Sequence, residues 1–230
     1  MGRADIGDRE SRHPRLWDIL AAAPLLLLCA FGIAGVAIEV HQQWPAADNA
    51  GLLVLIASEI AGALFLALQF WLIWVRRLPV AKAPGLTPRL WALLGANSAY
   101  AVLLLHKAAL TPLRAGFSGL VICCGTLGAI FVLRRLGKSF AIFPQARMLV
   151  TGGPYRLVRH PLYLCEQISL FGVCLQYAWP WAFLIVLAGF ALQFPRMAYE
   201  EDILARTFPR YRDYAARTPM IIPNFRGGMS

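Results

Sequence analysis

The stretch GLLVLIASEIAGALFLALQFWLIWV, Gly51–Val75, holds Glu59 as its only charged side chain. At about 1.5 Å rise per residue, a helix of this length reaches roughly 37 Å, more than the hydrocarbon thickness of about 30 Å. The segment therefore reads as a membrane-spanning helix. Similar uncharged or nearly uncharged runs lie on both sides of it, at Ile19–Ile38, Leu90–His106, Gly116–Leu133, Leu162–Ala178 and Trp181–Phe194. The last two are short and only Trp179-Pro180 separates them, so they read as a tight helical hairpin. Tyr177, Trp179 and Trp181 would form its aromatic belt. The expected fold class is all-α: a polytopic membrane bundle of about six spans, with five as the alternative, plus a C-terminal interfacial helix.

Composition agrees with this reading. Hydrophobic residues make up 59% of the 230-residue chain, and the mean hydropathy is +0.58. Soluble domains sit nearer 45–50% apolar. The first apolar run is too long for a typical signal-peptide core and has no small-residue cleavage pattern, so it is expected to be retained.

Charge placement sets an expected orientation, because loops kept in the cytoplasm carry the excess Lys and Arg. Arg3, Arg9, Arg12 and Arg15 precede the first span, and residues 39–50 after it contain neither Lys nor Arg. Arg76, Arg77, Lys82 and Arg89 follow the second span, but only Lys107 and Arg114 follow the third. Six basic residues from Arg134 to Arg159 follow the fourth, and the tail adds Arg206, Arg210, Arg212 and Arg217. Both termini are thus expected in the cytoplasm, of a bacterial inner-membrane protein. The net charge of +10 is spread over these loops without clustered stacking aromatics, which argues against nucleic acid and for anionic membrane lipids as its partner.

The five cysteines all lie in apolar segments, with no Cys-x-x-Cys spacing, so neither a disulfide framework nor a metal site is expected. One domain spans residues 1–230. It has four N-terminal spans within residues 16–133, the extended Pro-rich connection Leu78–Pro88 between the second and third, and a separate functional region at 134–223.

Function is sought where polarity conflicts with a bilayer. The conflicts are Glu39, Glu59, Gln69, His106, Glu166, Gln167 and Gln193; a charge at the bilayer centre costs about 2.5–3.5 kcal/mol even on lenient scales. Glu39 and His106 lie at segment ends and can reach water. Glu59 is expected to pair with a neighbouring helix.

The sequence before the fifth span is richer: Thr151-Gly-Gly-Pro-Tyr-Arg-Leu-Val-Arg-His-Pro-Leu-Tyr163. Gly152-Gly153-Pro154 favours a sharp turn, and Pro161 suits the first position of a helix with His160 just outside it. The N-terminus of that helix, with Arg156 and Arg159 beside it, would suit a carboxylate or phosphate. Tyr163, Glu166 and Gln167 share one helical face by their spacing.

A second cluster follows the last span. Glu200 and Glu201 are acidic on an otherwise basic side, Arg196 sits one turn before Glu200, and Leu204, Phe208 and Tyr211 recur at helical spacing until Pro209 interrupts them. The hairpin would bring the two clusters together.

The pattern Gly153-Pro-Tyr-Arg-x-x-Arg159-His-Pro-x-Tyr163, a hydrophobic hairpin, Arg196-x-x-x-Glu-Glu-x-x-Leu204 and Tyr211-x-x-Tyr214 resembles the isoprenylcysteine carboxyl methyltransferase and phospholipid methyltransferase superfamily. The resemblance covers roughly Leu133 to Pro223. It implies an integral membrane enzyme that binds S-adenosylmethionine from the cytoplasm and takes a lipophilic or lipidated acceptor from the bilayer. Tyr155, Arg159, His160, Pro161 and Tyr163 match the first cofactor motif, and Arg196, Glu200 and Glu201 the second. Arg159, His160 and Glu166 are the implied catalytic groups, with no metal required. Carboxyl O-methylation of an isoprenylcysteine-like substrate is the favoured reaction. Phospholipid N-methyl and thiol S-methyl transfer are alternatives.

One departure is Leu164-Cys165-Glu166, where many members of that superfamily place a small residue after the tyrosine. Membrane sterol and steroid reductases, which use NADPH, are similar here and have a glutamate at the position of Glu166. Leu162 in place of their asparagine, together with Glu200-Glu201, favours the methyltransferase. A non-catalytic membrane protein is the third class.

Overall fold

The computed structural model describes residues 14–46, 49–141 and 143–223, so Arg3, Arg9 and Arg12 lie outside the described residues. The chain opens with α1 (Pro14–Ala21), α2 (Ala23–Gln43) and α3 (Ala50–Val75). Asn49 caps α3, its side chain accepting a hydrogen bond from the Leu52 amide at 2.9 Å, which satisfies one of the orphan donors of a first helical turn. Next come α4 (Thr87–Asn97), which runs into a 3-10 segment (Ser98–Leu104), and α5 (Pro112–Leu136). Thr111 caps α5 through the Arg114 amide, and Pro112 occupies its first position. The C-terminal part consists of α6 (Pro161–Cys174), α7 (Trp181–Thr207) and α8 (Tyr211–Arg217).

Among the described residues four helices are long and apolar enough to cross a membrane, at Ala23–Gln43, Ala50–Val75, Pro112–Ser139 and Trp181–Thr207. The six apolar segments read from the sequence are therefore all helical, but two of them are not full-length α-helices. Leu90–His106 divides between the 11 residues of α4 and a 7-residue 3-10 stretch, which at about 1.5 and 2.0 Å per residue still cover roughly 30 Å. Asn97 and Ser98 at the break bond back to the carbonyls of Leu93 and Gly95, the local competition that polar side chains offer to a helix. The other, α6, has 14 residues, or roughly 21 Å.

The expectation of a last span ending near Phe194, followed by a separate interfacial helix, is corrected. Helix α7 continues through Pro195 to Thr207 as one 27-residue element. It carries Arg196, Glu200 and Glu201 on a rigid extension of the membrane helix. Only the 7-residue α8, beyond Pro209, stands apart.

Helix α5 packs between α3 and α6, and small residues let the backbones close. A Cβ added at Gly172 of α6 would lie 2.9 Å from the Ile122 amide nitrogen of α5. Polar groups bridge the same seam: the Ser118 hydroxyl donates to the Gly172 carbonyl at 2.9 Å, and the Thr126 and Ser169 hydroxyls are 3.0 Å apart. Such hydrogen bonds and close packing replace the hydrophobic drive that lipid removes.

The two ends of the bundle are tied differently. At one end Lys107 pairs with Glu39, Gln43 bonds both Glu39 and Glu59, and Lys107 bridges to Tyr177 beside the hairpin turn. Glu59 thus has the interhelical partner expected of it. At the other end Asp18 of α1 accepts from Arg76 and Arg147, both at 2.8 Å, and Arg147 also bonds the Arg77 carbonyl. There a two-residue antiparallel pair, β1 (Ala81–Lys82) with β2 (Gln145–Ala146), joins the connections that follow α3 and α5. This second end carries the clustered motif residues.

Candidate active site

Helix α6 begins as its sequence dictates, with Pro161 at the first position and His160 as the residue before it. The preceding 3-10 turn Gly153–Arg156 is entered through Gly153 at φ 63°, a conformation that favours glycine. That turn buries Tyr155, while Arg156 points outward and is exposed. Arg159 and His160 point inward.

The hairpin brings the two motif halves into contact. His160 Nε2 is 2.9 Å from Glu201 Oε1, and Arg159 Nε reaches the same oxygen at 2.9 Å. Tyr163 donates its hydroxyl to Glu200. The Arg196 guanidinium lies 4.9 Å from the centroid of the Tyr163 ring and 3.5 Å from Glu200. Glu200 and Glu201 of α7 therefore each meet a group at the start of α6. The hydrogen bonds from His160 and Tyr163 to these carboxylates are of the charge-assisted kind, stronger and more directional than neutral ones, whereas Arg159 and Arg196 meet them as ion pairs.

Helix α8 and the segment after it close the cluster from outside the bundle. Tyr214 donates to the Tyr155 carbonyl at 2.6 Å, and Arg159 Nη1 donates to the Ala215 carbonyl at 2.8 Å. The amides of Arg159 and His160 donate to the carbonyls of Pro219 and Met220. The sequence suggested that backbone N–H groups here would serve an anion. The two that precede Pro161 are instead taken by the chain itself, and Pro161 has none to give.

A cavity of about 540 Å³ opens beside this cluster, within the usual range for cofactor and ligand sites. Tyr155, Arg159, His160, Tyr163, Arg196 and Glu200 line it, as does Glu166. Pro161 and Glu201 do not; Pro161 sets the helix start and Glu201 holds Arg159 and His160 in place. Gln167 turns away to the Val186 carbonyl of α7. Beyond the charged cluster the same cavity continues between α2, α3 and α4, lined there by Leu25, Leu28, Phe65, Leu66 and Leu93.

The tyrosines around the rim remain neutral donors. Burial raises the Tyr155 hydroxyl far above its ordinary value, reinforced by the nearby Glu200. Burial likewise raises Tyr211, with Glu201 adding to the effect. It pushes Tyr214 up to about 12.

Residues 113–211 match the family described as phospholipid methyltransferase. The match takes in α5 as well as the hairpin, so it starts earlier than Leu133. Among curated proteins, the nickel-cobalt-cadmium resistance protein NccN of Alcaligenes xylosoxydans xylosoxydans is 43% identical over 76 residues, 33% of this chain and 36% of its own length. The cobalt-zinc-cadmium resistance protein CzcN of Cupriavidus metallidurans is 35% identical over 111 residues, 46% of this chain and 50% of its own length. The chain thus spans between about a third and half of the length of the curated relatives it matches.

The fold gives Gln193, singled out in the sequence only for its polarity inside a span, a defined place beside the site. Gln193 Nε2 donates to the Gly95 carbonyl, and its Oε1 accepts from Arg196. A Cβ at Gly95 would stand 2.8 Å from Gln193 Oε1, so glycine allows α4 to press against the helix that carries Arg196. The polarity of Gln193 inside a span was the available signal. Asp18, Gln145 and Arg147 gave none.

Proposed function

We propose that this protein transfers a methyl group from S-adenosylmethionine to a lipophilic acceptor that enters from the bilayer. The observation that carries this reading is the single cavity that joins the charged cluster of the family region to an apolar space between α2, α3 and α4. A soluble cofactor and a lipid-soluble acceptor can meet there.

The residues present fit that cofactor. Glu200 offers a carboxylate to an ammonium or to ribose hydroxyls, Arg159 and Arg196 offer cations to a carboxylate, and Tyr155 and Tyr163 offer apolar ring surface. When bound, S-adenosylmethionine supplies an electrophilic methyl carbon whose leaving group is a neutral thioether, so the demands on the protein are positioning and exclusion of water.

Glu166 favours an acceptor that must shed a proton, an amine or a thiol. Its carboxylate faces the cavity one turn inside α6 and can take the proton as the nucleophile attacks. The isoprenylcysteine-like carboxylate is the second reading, favoured by Arg196 on the opposite wall. The loop charges support placing this site and both termini on the cytoplasmic side.

Titrating the detergent-purified protein with S-adenosylmethionine and with NADPH tests the proposal. Micromolar binding of S-adenosylmethionine alone is expected. Binding of NADPH alone would transfer the site to the reductase reading, and binding of neither would sink both. Incubating membranes with methyl-labelled cofactor and identifying the labelled product then names the acceptor.

A further inference from the structure

One buried side chain in the cavity has no role in the methyl-transfer site. Gln69 of α3 is only 9% exposed and lines the cavity. Among the described residues its amide has no hydrogen-bond partner. It lies seven residues before Arg76 on one helix, hence roughly 10 Å deeper in the bilayer than the charged end.

Its surroundings divide into two kinds. Phe65 and Leu66 of α3 and Leu25 of α2 make that part of the cavity apolar, while Thr126, Ser169 and Gln193 bring uncharged polar groups to it. Those three are already bonded, Thr126 to Ser169 and Gln193 to Gly95. Of the four, Gln69 is the one whose donor and acceptor are both unengaged among the described residues. A buried amide in hydrocarbon surroundings demands a partner.

We propose that Gln69 is a specificity-determining residue that reads a carbonyl in the acceptor, about two helical turns below the charged end of the cavity. The acceptor class is then an amphiphile whose chain is joined to its headgroup through an ester or amide. An amphiphile with an ether or thioether linkage leaves the Gln69 amide unpaired in an apolar wall and is selected against. This rests on the methyl-transfer reading, because it takes the cavity to be the acceptor's site.

The test compares two lysolipids with the same ethanolamine headgroup and one saturated chain of about sixteen carbons, one ester-linked and one ether-linked, binding to the full chain in detergent by native mass spectrometry. Wild-type protein should prefer the ester form by roughly threefold to tenfold. Gln69→Leu, close in volume and without the amide, should bind both equally while keeping its affinity for S-adenosylhomocysteine. Equal wild-type affinities, or a preference that survives in Gln69→Leu, would overturn the proposal. The wild-type comparison decides even if the variant does not fold. Failure of wild-type protein to bind S-adenosylhomocysteine is a separate result, and it removes the methyl-transfer reading itself.

Discussion

His160 Nε2 and Glu201 Oε1 lie 2.9 Å apart across 41 residues of sequence. That contact joins the start of α6 to the extension of α7, and Arg159 shares the same carboxylate oxygen. Removing it should do two things at once. Glu201→Ala leaves a cation and a donor without their acceptor, at a cost of about 1–3 kcal/mol. Thermal unfolding in detergent should fall by several degrees, and S-adenosylhomocysteine affinity should drop at least tenfold because Arg159 is no longer held toward the cavity. Unchanged affinity would mean that Arg159 does not touch the cofactor.

Arg196 stacks on Tyr163 as well as pairing with Glu200. Arg196→Lys keeps the charge but loses the planar guanidinium that suits both contacts. Cofactor affinity should weaken by about tenfold in this variant, and Tyr163→Phe, which keeps the ring and loses only the hydroxyl, should weaken it less. Isothermal titration of the two variants side by side checks the order.

Glu166→Gln separates binding from turnover. The amide still fills the cavity wall but cannot accept a proton, so S-adenosylhomocysteine should bind as before while methyl transfer to an amine or thiol falls by roughly 10²- to 10⁴-fold. Retained turnover would point instead to an acceptor that is already ionised, such as a carboxylate.

Asp18 is shared between Arg76 and Arg147, and all three side chains are nearly buried. Asp18→Ala strands two cations, and breaking buried pairs in this way costs about 3–5 kcal/mol. We expect early melting and protease sensitivity around residues 77–82 and 143–147, where β1 and β2 meet. Asp18→Ala combined with Arg147→Met should recover part of the loss.

Tyr214 gives a test by pH. Its hydroxyl donates to the Tyr155 carbonyl and is pushed up to about 12 by burial. The folded state therefore holds this proton more tightly than the unfolded chain, whose tyrosine titrates near 10. The resulting stability is present below about pH 10 and is lost as pH rises through about 12. Tyr214→Phe should be less stable at neutral pH and should show a shallower decline over that alkaline window, followed by loss of bound S-adenosylhomocysteine.

Much of this architecture is legible in the chain because two simple rules apply in a bilayer. Length and apolarity identify the helices, and a proline after His160 marks where α6 starts. Both motif halves can also be read, since acids and a histidine beside a span need partners. What could not be read depends on distance through the fold. Asp18 and Arg147 are 129 residues apart, and neither has a local pattern. The break after Asn97 depends on side chains folding back onto carbonyls. The continuation of α7 through Pro195 runs against the usual behaviour of proline, and Gln69 stood out only as a polar residue in the wrong solvent.

The carbonyls of Pro219 and Met220, which receive the amides of Arg159 and His160, also impose an order in time. During synthesis the membrane helices and the paired charges of α6 and α7 are made first, and the backbone beneath His160 has nothing to bond until residue 220 has left the ribosome. The pocket is thus completed after the bundle that contains it, and a chain stalled before Thr218 would hold every charged group of the site in an unseated frame.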